Sequence, residues 1–183
     1  MKDLSLHILD LAQNSLAAGA ACLQLSVTHR QVSHLLIIRL EDDGRGMDEE
    51  TCRRVLDPFY TTRTTRRVGL GLPLAAMTAE STGGHLSLTS KLGVGTTVEL
   101  VYKTDHWDCP PEGDMAEMLR VLVGGLNGAR LCFSYACDDK TFTLDTQVIA
   151  QELGDSTWLA DPQVLTWLGG YVREGLEKVR NVS

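Results

Sequence analysis

The chain has 183 residues, is 43% hydrophobic and 22% charged, and carries a net charge of −7; this composition excludes a disordered or fibrous protein. No apolar run approaches the roughly 18–20 residues of a membrane-spanning helix, and the start, MKDLSLHILD, lacks the basic region and cleavage site of a secretion signal. No membrane partner is therefore expected, and a cytoplasmic location is.

The charge is unevenly placed. Residues 1–104 hold 11 Lys+Arg and 11 Asp+Glu, whereas residues 105–183 hold 6 and 13. An acidic C-terminal part disfavours nucleic acid as a partner, because a phosphate-binding face needs a basic stripe. The five cysteines form no CxxC pair, so free thiols are expected rather than a disulfide framework or a zinc site. A redox role for Cys132 and Cys137 gains little from their spacing of five.

In chain order, residues 4–18 read as a helix. Leu4, Ile8, Leu11 and Ser15 form one row and Leu9, Ala12 and Leu16 its neighbour. Residues 22–28 and 34–41 read as a strand pair around a polar turn. A Gly-punctuated turn, DDGRGM, follows, and 48–56 reads as a short helix with acidic residues at its start. Residues 57–68 read as a polar loop, 70–82 as a second long helix ended by Gly83 and Gly84, and 85–90 with 95–102 as another strand pair. The segment 104–113, TDHWDCPPEG, has the composition of a linker. Beyond it come a helix at 112–123, strands at 130–136 and 141–144, a short helix near 146–152 and a last helix at 161–179. The expected division is a domain over 1–103, a linker over 104–113 and a small α+β region over 114–183.

Four segments point to one site. Asp10 and Asn14 lie four apart, so they share a helical face. A carboxylate beside an amide oxygen suits magnesium, which takes oxygen ligands and shares its shell with substrate phosphates. Asp42 closes an apolar strand just before Gly44 and Gly46, where backbone can approach a ligand; its carboxylate can accept from the exocyclic amine of a base. Gly69, Leu70, Gly71 and Leu72 open the second long helix, and a helix N-terminus binds phosphate. The loop before it concentrates Thr61, Thr62, Arg63 and Arg67, donors fit for a triphosphate. Finally, Gly93, Gly95 and Thr96 make a Gly-rich turn into a strand.

Together these segments resemble the GHKL, or histidine-kinase-like, ATPase superfamily. LAQNSLAAGA resembles its N box, EDDGRGM its G1 box, DPFYTT its F box, VGLGLPLAA its G2 box and SKLGVGTTVEL its closing Gly-Thr segment. The match covers residues 4 to about 102 in order and spacing. The resemblance implies an α/β (α+β) fold: a two-layer sandwich of helices on a mixed, mostly antiparallel sheet of the Bergerat type, here with a small α+β C-terminal appendage. It implies ATP and Mg2+ as ligands. Asn14 resembles the magnesium ligand and Asp42 the adenine-reading carboxylate. Ala18, Gly44, Gly46 and Met47 belong to the matching boxes around the base. Residues 57–69 resemble the lid, Gly69 and Gly71 the phosphate contacts, and Thr96 a water-mediated adenine contact.

The sequence also departs from that pattern. Asp10 stands where hydrolysing members carry the Glu that orients water, one methylene longer. Arg67 replaces the first Gly of the kinase-type G2 box. No helical hairpin with a phospho-acceptor His is read before the N box, and His7 is expected to be structural. The resemblance thus implies a stand-alone ATP-binding domain acting as a soluble or anti-sigma-factor-like kinase on a partner protein in trans. A nucleotide-gated binding module with little turnover is the alternative, and a mismatch-repair-like clamp is a third reading. A homodimer is compatible with all three.

Overall fold

The computed structural model describes residues 3–56, 71–154 and 161–180. The opening helix, α1 (Leu4–Ala17), begins where Asp3 caps it: its carboxylate accepts from the Leu6 N–H at 3.0 Å. It ends before Gly19, which takes φ +80°. Its expected row of Leu4, Ile8, Leu11 and Ser15 is buried throughout, as a 3.6-residue period against a core requires.

Alternation then takes over. In β1 (Cys22–Arg30), Leu23, Leu25 and Val27 point inward. In β2 (Leu35–Asp42), Leu36, Ile38 and Leu40 do the same. The short α2 (Glu49–Arg54) is capped by Asp48, and α3 (Gly71–Ser81) follows. The hairpin β3 (His85–Lys91) and β4 (Gly95–Lys103) comes next. After residues 104–114 come α4 (Met115–Gly124), β5 (Arg130–Cys137), β6 (Lys140–Asp145), α5 (Thr146–Leu153) and α6 (Pro162–Arg180).

These strands form one six-stranded sheet in the order β3-β4-β2-β1-β5-β6. All neighbours are antiparallel except β1 and β5, which run parallel with Cys22 opposite Arg130 and Gln24 opposite Cys132. The sheet is thus mixed and mostly antiparallel, with α1, α3, α4 and α6 packed on its apolar face. Helix α6 buries Leu168, Val172, Leu176 and Val179 at steps of four, four and three. Burying each such side chain is worth about 1.5–3 kcal/mol.

The sheet runs through both sides of the 104–113 segment, since β5 and β6 extend it beyond β1. Within that segment, Pro111 and Glu112 turn their carbonyls to the Leu4 and Ser5 N–H groups at 3.0 and 2.8 Å. Those are donors that a first helical turn leaves unpaired. Glu112 also gathers side chains from both sides of the segment. Its carboxylate meets His29 Nε2 at 2.6 Å and accepts from Tyr135 Oη at 3.1 and 3.2 Å, and Arg180 pairs with it. Arg180 further donates from Nε to Tyr135 Oη at 2.9 Å and lies over the Tyr135 ring. Among the described residues no helix is long and apolar enough to cross a membrane.

Candidate functional site

One end of the candidate site grows from the close of β2. Asp42 lies opposite Thr96 on β4. One carboxylate oxygen, Oδ1, accepts the Gly44 N–H at 2.9 Å, and Oδ2 accepts the Ser15 hydroxyl at 2.6 Å. Gly44 is pressed against α1's end: an added Cβ would lie 3.0 Å from Asp42 Oδ1 and 3.2 Å from the Ala18 Cβ. The Arg45 N–H donates to the Ala18 carbonyl at 3.0 Å. Ala18, Asp42 and Gly44 are therefore brought together. Next door, Asp43 accepts the Ala21 and Cys22 N–H groups at 2.7 and 2.8 Å, which fixes the loop to the start of β1.

The loop then locks onto the β3–β4 turn. Gly46 takes φ +64°, and a Cβ there would fall 2.0 Å from the Lys91 carbonyl oxygen. Gly95 takes φ +133°, and its Cβ would fall 1.9 Å from the Asp42 carbonyl oxygen. Only glycine allows these approaches. Ser90 Oγ accepts the Met47 N–H at 2.8 Å, donates to the Gly95 carbonyl at 3.0 Å and lies 2.9 Å from Thr96 Oγ1. With the Ser90 proton on Gly95, the Thr96 hydroxyl donates to Ser90 and keeps its oxygen free to accept. Gly46, Met47 and Thr96 are thus brought together with Asp42.

The second end lies one helical turn back along α1. Asp10 and Asn14 are both half-buried. Gly71, which opens α3, faces them: a Cβ there would lie 3.5 Å from the Asp10 Cβ and 3.9 Å from Asn14 Nδ2. An eleven-residue helix therefore starts beside Asp10 and Asn14. That end of a helix attracts anions. Leu72 packs on the core. Thr61, Thr62, Arg63, Arg67, Gly69 and Leu70 lie outside the described residues.

Other candidates fall away. Cys132 faces outward and Cys137 inward on β5, so their spacing of five puts them on opposite faces. The described cysteines are all free thiols. A groove of about 390 Å³ lies on the sheet's outward face, lined by residues including Gln24, Arg39, Glu41, Cys132 and Asp145. Its charges already have partners: Arg39 donates to Glu41 at 2.9 Å, and Asp145 accepts from Nε of the nearby Arg130 at 3.0 Å. Among the described residues, no group of three or more His, Cys, Asp and Glu could hold a metal ion.

The sequence left three contributors without a functional role. Ser15 falls in an apolar row of the sequence, and its only signal is a lone hydroxyl among Leu and Ile. Asp43 gave none, because the Ala21 and Cys22 N–H groups that it accepts lie more than twenty residues away, and Ser90 gave none, because the Met47 N–H that it accepts is 43 residues away.

A profile of the "Histidine kinase-, DNA gyrase B-, and HSP90-like ATPase" family matches residues 2–106, more than half of the chain. Curated relatives include a putative sensor protein of Shewanella frigidimarina, 31% identical over 103 residues. That alignment covers 55% of this chain and 16% of the relative. The C4-dicarboxylate transport sensor protein DctB of Pseudomonas aeruginosa is 33% identical over 95 residues, covering 51% of this chain and 16% of the relative. Sensor histidine kinase YvrG of Bacillus subtilis is 26% identical over 98 residues, covering 51% and 17%. The chain therefore spans about a sixth of these relatives' length. Among solved structures, the N-terminal domain of a DNA repair protein superposes with a TM-score of 0.52 at 16% identity, covering 78% of this chain and 52% of that one; this likeness concerns the fold. The chain belongs to the histidine kinase-, DNA gyrase B- and HSP90-like ATPase family, whose ATP-binding domain it carries over residues 2–106.

Proposed function

We propose that this chain binds ATP with magnesium between α1, the loop after β2 and the start of α3, and passes the γ-phosphate to a side chain of a partner protein. The observation that carries the reading is the approach of Gly71 to Asp10 and Asn14. It sets the start of α3, an end that attracts phosphate, beside the Asp10 and Asn14 side chains of α1, whose Ser15 reaches Asp42. In this reading Asp42 accepts from the adenine amine, with Ala18, Gly44, Gly46, Met47 and Thr96 shaping the base pocket. The same reading assigns the phosphates to Gly71 and the Leu72 backbone, and, outside the described residues, to Gly69, Leu70, Thr61, Thr62, Arg63 and Arg67.

The donor set fits magnesium: an Asn14 amide oxygen with a carboxylate nearby offers one or two protein ligands, and phosphate oxygens complete the shell. Bound there, the ion would neutralise charge developing on the phosphates. Asp10 is the candidate general base. Its short side chain favours transfer to a positioned partner group over activation of water, since phosphoryl transfer depends on positioning within about 1 Å. The relatives' names, two sensor proteins and a sensor histidine kinase, support a signalling role; a cytoplasmic setting is part of the proposal. Residues 114–183, acidic and outside the family match, are proposed to hold the partner.

A second reading keeps the same site with little turnover, ATP only gating partner binding; Asp10 in place of Glu motivates it. A mismatch-repair-like clamp is disfavoured by the acidic C-terminal region.

The test is calorimetric titration of ATP with and without magnesium, followed by transfer of labelled γ-phosphate to co-encoded proteins. Asn14→Ala is expected to weaken magnesium-dependent ATP binding about 100-fold or more, on the order of 3 kcal/mol. Unchanged affinity in that variant sinks the site. Labelled partner decides for the kinase, and tight binding with no labelled partner decides for the gated module.

A further inference from the structure

Ser15 occupies a place where the core wants carbon. It follows Leu4, Ile8 and Leu11 in the inward row of α1, and only 6% of it is exposed. A hydroxyl buried there costs free energy unless it is hydrogen-bonded. It finds its partner 27 residues away, in Asp42 Oδ2 at 2.6 Å. That short distance is typical of a hydroxyl donating to a charged acceptor.

The other carboxylate oxygen, Oδ1, is held by the Gly44 N–H at 2.9 Å. Asp42 is thus gripped at both oxygens by donors. With the Gly44 contact alone, the carboxylate would be free to swing about its terminal torsion, which has only a broad preference. With both contacts, its plane is set. An ionised carboxylate only accepts, so each oxygen can add one bond from a base amine and offers nothing to a base carbonyl.

We infer that Ser15 is a specificity-determining positioning residue of the nucleotide site: it fixes the orientation of the Asp42 carboxylate and so sharpens the choice of an amine-bearing purine over one with a carbonyl at that edge. The inference rests on the proposed role of Asp42 as base reader. It also gives α1 two tasks. Asp10 and Asn14 face the start of α3, and the residue beside Asn14 sets the reader at the other end of the site.

The test measures Kd for ATP and GTP by calorimetry on the full chain, with thermal melting as the control for folding. Ser15→Ala is expected to weaken ATP about tenfold, the loss of one hydrogen bond to a charged group, while GTP changes little. The ATP-to-GTP ratio therefore falls by about the same factor. Ser15→Thr keeps the hydroxyl and is expected to restore most of the ratio. Should Ser15→Ala fail to fold, Ser15→Cys retains the volume with a weak donor and carries the same expectation.

ATP affinity unchanged in the folded variant, or ATP and GTP falling together, overturns the inference. A merely structural Ser15 would lower both nucleotides or neither. A wild-type chain that does not prefer ATP over GTP would instead overturn the reading of Asp42 itself.

Discussion

Around Gly46 and Gly95 the chain is held by backbone set against backbone; around Glu112 it is held by charged and aromatic side chains. The site corner leaves no room for a Cβ at Gly46 or Gly95, whose neighbours there are the Lys91 and Asp42 carbonyls. The Glu112 cluster joins β1, the 104–113 segment, β5 and α6 through His29, Tyr135 and Arg180. The difference teaches what each region can tolerate. A lock made of close approach is insensitive to pH and salt but tolerates no added atom. A lock made of ion pairs tolerates small changes of shape but depends on ionisation.

The largest effect is expected at the tighter lock. Gly95→Ala places a methyl 1.9 Å from a carbonyl oxygen on a residue at φ +133°, so backbone has to move. Crowding and strain together are expected to cost about 3–5 kcal/mol. The shift pulls Asp42 away from Thr96, and ATP affinity should fall more than about tenfold. Differential scanning calorimetry and titration with ATP check both. A variant that melts and binds like the wild type would remove the contrast between the two regions.

The Glu112 cluster is expected to behave in the opposite way. Burial alone would raise the Glu112 carboxyl, but His29, Arg180 and Tyr135 outweigh it and hold the group below its ordinary value. A lowered folded-state pKa contributes stability that is complete above the ordinary glutamate value, near about 4.3. That stability is lost as pH falls through the lowered one. Glu112→Gln is expected to cost about 2–3 kcal/mol at neutral pH by leaving Arg180 and His29 without a carboxylate. Its gap to the wild type should narrow in acid. ATP affinity should stay within about twofold, since the carbonyls that bind the start of α1 remain. Melting curves at stepped pH, paired with titrations, check this; a large loss of ATP affinity would show that the cluster acts on the site.

The same contrast explains what could be read in advance. The site half was legible because its signals are local: apolar periods of 3.6 and 2, glycines that permit close approach, and Asp10 with Asn14 on one helical face. The elements beyond residue 114 were legible for the same reason. Their placement was not. The pairing of β5 with β1 matches Cys22 to Arg130 across more than a hundred residues, and parallel register leaves no local mark. Nor did TDHWDCPPEG reveal that Pro111 and Glu112 would complete α1. Ser15 and Ser90 escaped because a serine's role depends on which acceptor the fold brings to it.

The smallest expected effect lies at the joint between the 104–113 segment and α4. Asp114 accepts the Glu117 N–H at 2.9 Å as the N-cap of α4, and its other oxygen meets Arg173 at 3.1 Å. The backbone hydrogen bond from Glu117 is the main reason that its carboxyl sits below the ordinary range. The Arg173 pair is open to solvent on both sides, so salt screens it and it adds little. Asp114→Ala is therefore expected to cost about 1 kcal/mol, the usual loss of a helix cap. Asp114→Asn, which keeps a capping oxygen and gives up the charge, should recover most of it. Urea titrations of the two variants separate these contributions. If Asn fails to recover stability, the Arg173 pair carries the joint, and charge rather than capping geometry governs the C-terminal half down to its exposed edge.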